Sequence, residues 1–130
     1  MKFAIAVFSP PYAPSSRRAL RFTEAALAAG HHIVRVFFYQ DGVYNASSNV
    51  IAPQDEVDIA AAWKQLISDH GLDGVVCIAA GLRRGTLNAE EAQRWERPGV
   101  NVLPPLELSG LGQLHEAAQE ADRLMCFGGD

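Results

Sequence analysis

The order of strand and helix signals along the chain constrains the fold more than any other feature. Short apolar runs typical of strands occupy 2–8, 32–38, 74–78, 100–103 and 123–127, and amphipathic helical segments lie between most of them. Because this alternation favours parallel strands joined by right-handed crossovers, the sequence predicts an α/β fold. We expect a five-stranded, mainly parallel sheet with helices on both faces and the flavodoxin-like strand order 2-1-3-4-5. The length of 130 residues fits one three-layer domain spanning 1–130.

Polar residues and glycines mark the expected helix ends. The residues predicted to cap helix starts are Ser15 or Ser16, Asp55, Asn88 and Ser109. Gly30 and Gly71 suit the left-handed position that follows a helix. The helices are therefore expected to begin at or just after these capping residues.

Composition and charge exclude several classes of protein. The net charge of −4 argues against a broad nucleic-acid interface, and no apolar run approaches membrane-spanning length. The first eight residues are too short for a signal peptide and are expected to form a strand. Two cysteines without secretory features predict unpaired thiols in a reducing cytoplasm.

The third predicted strand carries the first candidate for chemistry. Cys77 lies near its carboxyl end, and Arg83 and Arg84 follow shortly afterwards. Binding and catalytic sites of open α/β sheets form at the carboxyl ends of strands. A thiol near two cations and a helix amino terminus can be held as a reactive thiolate. The alternative is a buried cysteine that acts as a small apolar residue, with both arginines in solvent.

Two further residues are expected to reach the same edge of the sheet. Tyr44 and Asn45 follow the second strand, after a turn signal at Asp41 and Gly42. Because the carboxyl ends of parallel strands share one edge, this loop is placed beside Cys77. Tyr44 can equally serve to pack the loop.

The spacing of Cys77 and Arg83 leaves a hydrolase open as a second function. Cys-x5-Arg is the spacing of phosphatase loops, in which loop amides and the arginine hold a phosphate over a thiolate. Here only one glycine intervenes, and Arg84 stands where those loops have Ser or Thr. The four histidines lack zinc-ligand spacing with a cysteine, so we expect no metal site.

Three blocks of sequence together resemble one protein family. They are residues 37–46 (FFYQDGVYNA), 77–85 (CIAAGLRRG) and 108–117 (LSGLGQLHEA). In this combination and order, the chain resembles the DsrE/TusD family of sulfurtransferase subunits along its whole length. The resemblance implies that Cys77 carries sulfur as a persulfide. Cys126 matches no family cysteine and is expected to be structural, in a buried apolar setting.

The resemblance also implies partners and a pathway. A TusA-like carrier would donate sulfur to Cys77, and a TusE-like protein would accept it for 2-thiolation of the wobble uridine in tRNA. TusB-like and TusC-like subunits would complete a cytoplasmic heterohexamer with no direct contact to nucleic acid or membrane. Such transfer resembles thiol–disulfide exchange, so no cofactor is expected.

The supporting residues and the subunit contacts are less sharply specified. Arg83, Arg84, Tyr44 and Asn45 are expected to support the substrate or the persulfide. Trp95 and the apolar stretch 100–106 are candidates for subunit contacts. A sulfurtransferase, a phosphatase-like hydrolase and a non-catalytic assembly subunit of the same fold all remain open.

Overall fold

The computed structural model describes residues 1–129 and contains one five-stranded parallel sheet, in the order β4-β3-β2-β1-β5. The strands are β1 (Lys2–Val7), β2 (His32–Phe38), β3 (Gly74–Cys77), β4 (Glu107–Ser109) and β5 (Arg123–Phe127). The helices are α1 (Pro14–Ala28), α2 (Ile59–His70), α3 (Ile78–Arg83), α4 (Ala89–Arg94) and α5 (Gly112–Glu120). A seven-residue 3-10 helix, Gln40–Ala46, follows β2.

The predicted α/β class and parallel sheet are confirmed, but the predicted strand order is wrong. Strand β3 pairs with β2 instead of β1, and β1 lies between β2 and β5. The chain therefore adds three strands on one side of β1 and then returns to its other side. Alternation of strands and helices requires parallel crossovers but does not specify which edge each strand joins.

The predicted strand at 100–103 is also wrong. The backbone amides of Asn101 and Val102 both donate to the carbonyl of Leu87, at 2.9 Å. This binds the segment to the loop before α4, while the buried side chains of Val102 and Leu106 still join the core. The fourth strand instead forms three residues after Pro104, at Glu107–Ser109.

Helices cover both faces of the sheet. On one face α1 and α2 pack together, and the rings of Phe38 and Trp63 meet edge to face at 5.4 Å. On the other face, α5 packs against β1 and β2. There Arg35 on β2 donates to Asp73 at 2.7 Å and to the carbonyl of Gln113 at 2.8 Å, which fixes the start of α5.

Helix starts were harder to predict than helix ends. Pro14 opens α1 ahead of both serines, because the ring of a proline already has helical φ at this position. Asp58, not Asp55, caps α2. Ser109 is a strand residue, so the predicted cap of the last helix is wrong. The Asn88 cap is confirmed by its bond from the Glu91 amide.

Two glycines at helix ends behave as predicted. Gly30 and Gly71 follow α1 and α2 with φ of +86° and +59°. An L side chain at either φ would be strained, since its Cβ approaches the carbonyl oxygen.

Within residues 1–129, no helix is both long and apolar enough to cross a membrane.

Candidate functional site

Cys77 lies where β3 becomes α3. It is the last residue of the strand, as the sequence predicts, and it occupies the N-cap position of the helix. On the neighbouring strand, Ser109 is its partner in the register. Only 2% of Cys77 is exposed, so the thiol is more deeply enclosed than a strand-end loop position suggests.

The surroundings of Cys77 are nevertheless open to solvent. Ala79, two residues further along the chain, is exposed, and so are Gly110 and Leu111, which follow Ser109. The thiol therefore sits just beneath an exposed rim made by the start of α3 and the loop after β4. Because only 2% of Cys77 is exposed, a thiol of another protein can reach its sulfur only if this rim moves.

The segment after Cys77 is a helix and not a phosphate-binding loop. Residues 78–83 form α3, so the backbone of this segment follows a helix instead of curling around an anion. From Cys77 to Arg83 the Cα atoms are separated by about 9 Å along the helix axis. The spacing that suggests a phosphatase therefore produces a different geometry here, and the structure gives that alternative no support.

The two arginines after Cys77 have different environments. Arg84 donates from Nε to Asp41 at 2.8 Å and from a terminal nitrogen to the Ala80 carbonyl at 3.0 Å. Its charge is therefore paired, and it ties α3 to the 3-10 helix. The Arg83 side chain is exposed and makes no hydrogen bond or ion pair among the described residues 1–129.

Asn45 has every side-chain polar atom engaged inside the protein. Its carbonyl oxygen accepts from Ser16 Oγ at 2.7 Å, and its amide nitrogen donates to the carbonyls of Ser9 and Gly42, both at 2.9 Å. Only 1% of the residue is exposed. These bonds tie the 3-10 helix to α1 and to the loop after β1, so Asn45 can position the site but cannot reach a substrate. Tyr44 on the same helix is half-buried.

The backbone of the 3-10 helix approaches β1 very closely. A Cβ added to Gly42 would clash with the carbonyl of Val7, so only glycine fits this position. Gln40, which starts the helix, has φ of +53°, in the left-handed region that non-glycine residues seldom adopt. Gly42, the glycine of the predicted turn signal, is therefore required by the close approach of the Val7 carbonyl.

Two residues near the site were not identified from the sequence. Asp41 was assigned only to a turn, yet its carboxylate holds Arg84 across 43 positions of the chain. Ser109 was assigned to a helix cap, yet it is the strand neighbour of Cys77. Neither pairing leaves a local pattern, because both depend on how distant segments meet.

Cys126 lies in a different environment from the one predicted. It is exposed on the edge strand β5, so the expected burial is wrong. Its atoms are still partly desolvated, which raises the pKa of the Cys126 thiol above its usual value. The β3 and β5 strands are three positions apart in the sheet, about 14 Å. The two thiols are therefore too far apart for a disulfide.

The whole chain shares the sequence pattern of a known family. The model of the DsrE/DsrF-like family matches residues 1–127. The chain belongs to the DsrE/DsrF-like family. The resemblance noted from three sequence blocks is thus confirmed.

Similarity to individual DsrE/DsrF-like proteins extends over full lengths. The sulfurtransferase TusD homolog of Pseudomonas aeruginosa is 71% identical, over 100% of this chain and 99% of that protein. Sulfurtransferase TusD of Cronobacter sakazakii is 43% identical, over 98% of this chain and 100% of that protein. These relatives confirm the expectation that the chain is a sulfurtransferase.

The fold has a counterpart among solved structures. The ychN protein of E. coli superposes with a TM-score of 0.75, over 97% of each chain, at 16% sequence identity. At that identity the likeness concerns the fold alone. It is consistent with the α/β architecture described above.

Proposed function

We propose that this chain is the sulfur-carrying subunit of a sulfur relay, with Cys77 as the carrier. The observation that carries the proposal is the placement of Cys77 at the carboxyl end of β3 and the start of α3, beneath an exposed rim. The start of a helix presents backbone N–H groups and a partial positive charge. Both favour a sulfur atom that carries negative charge.

Each transfer exchanges one S–S bond for another. The Cys77 thiolate attacks the outer sulfur of a persulfide on a TusA-like donor, the donor S–S bond breaks, and the donor leaves as a thiolate. A thiolate of a TusE-like acceptor then attacks the outer sulfur on Cys77, and the Cys77 thiolate leaves. Neither step changes the total number of electrons, so the exchange needs only the two thiols and the transferred sulfur.

The supporting residues act at different distances in this proposal. Arg83 and Arg84 supply positive charge at the far end of α3, and Arg84 also holds α3 against the 3-10 helix through Asp41. Asn45 fixes that helix from within, and Tyr44 forms part of the surface beside it. In this proposal the four residues support the persulfide indirectly, through the position of α3 and the charge at its far end, and none of them acts as a nucleophile.

The wider setting is part of the proposal and rests on the resemblance to the DsrE/TusD family. We place the chain in the cytoplasm, in a heterohexamer with TusB-like and TusC-like subunits that serves 2-thiolation of the tRNA wobble uridine. The chain itself carries a net charge of −4, which favours passing sulfur to a protein over binding the tRNA directly. In this proposal residues 1–130 form one sulfur-relay domain that contains Cys77.

The proposal is tested by intact-mass measurement after incubation with a sulfur-loaded TusA-like carrier. We expect the mass of one sulfur atom to be added to wild type and to Cys126→Ser, and none to Cys77→Ser. A reducing agent should remove the added mass, because a persulfide is reducible. Equal loading of Cys77→Ser would contradict the assignment.

A parallel assay separates this function from phosphate-ester hydrolysis. Wild-type protein incubated with an aryl phosphate should release no phenol above the level of Cys77→Ser, since residues 78–83 form a helix and not a phosphate-binding loop. Turnover that is sensitive to vanadate and lost in Cys77→Ser would instead establish the hydrolase.

A further inference from the structure

A cavity of about 620 Å³ opens at the end of α3 that is remote from Cys77. The loop after α4 and the loop before it complete its walls. The residues that carry the argument are Leu82, Arg83, Leu87, Trp95, Arg97 and Pro98. None of these residues belongs to the immediate surroundings of Cys77.

The cavity is lined by unpaired positive charge. Arg83 makes no ion pair within residues 1–129, and the only hydrogen bond that the Arg97 side chain makes there is to the carbonyl of Trp95, at 2.7 Å. Among residues 1–129, no Asp or Glu side chain contributes to the lining. Two guanidinium groups therefore keep most of their donors available, and carboxylates are the protein groups that match this geometry.

The cavity also offers an apolar contact. Trp95 is 51% exposed at its edge, and Leu87 is buried below. Glu96, between Trp95 and Arg97, has φ of +53°, a left-handed conformation that favours glycine. The turn is closed by the Arg97 amide, which donates to Ala92 at 2.9 Å. The backbone is therefore strained at Glu96, the residue between the Trp95 indole and the Arg97 guanidinium, which both line the cavity.

We infer that this cavity is a docking site for an acidic protein segment that carries an apolar side chain beside its carboxylates. The inference rests on the proposed function, because the segment would belong to the protein that exchanges sulfur with Cys77. The helix α3 joins the two places, and about 9 Å along its axis separate Cys77 from Arg83. A partner anchored in the cavity would thus hold its own thiol near the rim over Cys77.

Protein is favoured over RNA as the occupant because the positive charge is local. In the described part of the chain, only two unpaired arginines line the cavity, and the net charge of the chain is −4. A phosphate backbone needs a longer track of cations, whereas one or two carboxylates and an apolar side chain match the cavity in charge and in character.

The two tryptophans of the chain permit a direct binding assay. Trp63 is fully buried, so acrylamide quenching of fluorescence reports mainly on Trp95. The probe is a hexapeptide of sequence EDLFED with blocked ends, and its control is the neutral peptide QNLFQN. We expect saturable protection of Trp95 by the acidic peptide and little by the neutral one.

Charge variants locate the binding. Arg83→Gln and Arg97→Gln should each weaken binding of the acidic peptide about twofold to fivefold, as the loss of a solvent-accessible charge pair does. Arg18→Gln, which removes the same charge from the exposed side of α1, should leave binding unchanged. Absence of protection, equal binding of both peptides, or tighter binding of a single-stranded RNA hexanucleotide would overturn the inference.

A separate measurement distinguishes this inference from the proposed function. Arg97→Gln should be loaded with sulfur at Cys77 by an inorganic polysulfide as fast as wild type, because so small a donor needs no docking surface. If polysulfide does not load wild type at Cys77, the carrier role is refuted, whereas the result of the peptide-binding assay still stands. Normal loading without peptide binding would refute the docking site alone.

Discussion

At the scale of single residues, Cys77 combines an enclosed side chain with exposed neighbours. Its exposure of 2% keeps the sulfur away from bulk solvent, while the start of α3 lies next to it. A persulfide held this way is shielded from oxidants and stray thiols until the rim moves. The enclosure therefore suits a carrier that releases its sulfur only to a docked protein.

The second cysteine offers a contrast that can be measured by pH. In Cys77→Ser, Cys126 is the remaining thiol of the chain. Desolvation raises the pKa of Cys126, so less of it is thiolate at neutral pH than for an ordinary cysteine. Its alkylation by iodoacetamide should therefore be slow at neutral pH and reach its half-maximal rate at a higher pH than an ordinary thiol.

The same variant unfolded in urea provides the control for Cys126. Unfolding removes the desolvation, so the midpoint of the pH profile should move to lower pH. Rates followed by intact mass give both profiles. Identical profiles in the folded and unfolded protein would show that the environment of Cys126 does not affect its ionisation.

At the scale of elements, the 3-10 helix connects the first two strands to the site. Gly42 lies against the Val7 carbonyl at the end of β1, and Asn45 bonds to α1 and to the loop before it. Asp41 on the same helix holds Arg84 at the end of α3. One short element thus sets the position of α3 relative to the centre of the sheet.

Gly42→Ala tests this role. The added methyl group would clash with the Val7 carbonyl, which belongs to a central strand and cannot yield cheaply. We expect a loss of about 3 kcal/mol or more in the free energy of unfolding, measured with urea. Gly110→Ala is the matched control, because its new methyl group would meet nothing within 4 Å. Equal stability of the two variants would contradict the close approach.

The sequence was most informative where local chemistry decides the structure. Apolar runs identified β1, β2, β3 and β5, and glycines identified two helix ends. The fourth strand was missed because its three residues follow two prolines, whereas the more apolar 100–103 binds to Leu87. The strand order was missed because pairing partners are chosen by long-range packing, for which a short sequence window holds no signal.

In the candidate site, too, local features could be predicted from the sequence and long-range contacts could not. The apolar run 74–78 predicted that Cys77 lies near the carboxyl end of the third strand, and the structure confirms that position. The different environments of Arg83 and Arg84 could not be predicted, because Arg84 is paired with Asp41, which belongs to a segment 43 positions earlier in the chain. The enclosure of Cys77 likewise depends on β4, a strand that the sequence did not reveal.

At the scale of the whole molecule, two groups of exposed apolar side chains are candidates for subunit contacts. Tyr12, Ile51 and Val57 surround a cavity of about 720 Å³ between the loop after β1 and the segment before α2. Val100 and Leu103 lie in the stretch predicted to contact other subunits, of which Val102 and Leu106 are buried in the core.

The first group is expected to contribute more to assembly. Ile51 and Val57 are 86% and 57% exposed, whereas Val100 and Leu103 are 43% and 39% exposed and thus have less apolar surface left to bury. Since stabilisation grows with the apolar area removed from water, a partner subunit gains more by covering Ile51 and Val57.

Co-expression with the TusB-like and TusC-like subunits tests this choice of surface. The double variant Ile51→Ser/Val57→Ser should reduce recovery of the complex in size-exclusion chromatography about tenfold, because two large apolar contacts are replaced by hydroxyl groups. Val100→Ser/Leu103→Ser makes the same chemical change on the other surface and should leave the complex largely intact. Circular dichroism of both variants checks that the fold is kept. The reverse pattern would assign the interface to the 100–103 stretch, and a wild-type chain that elutes as a monomer beside both partners would contradict the assembly itself.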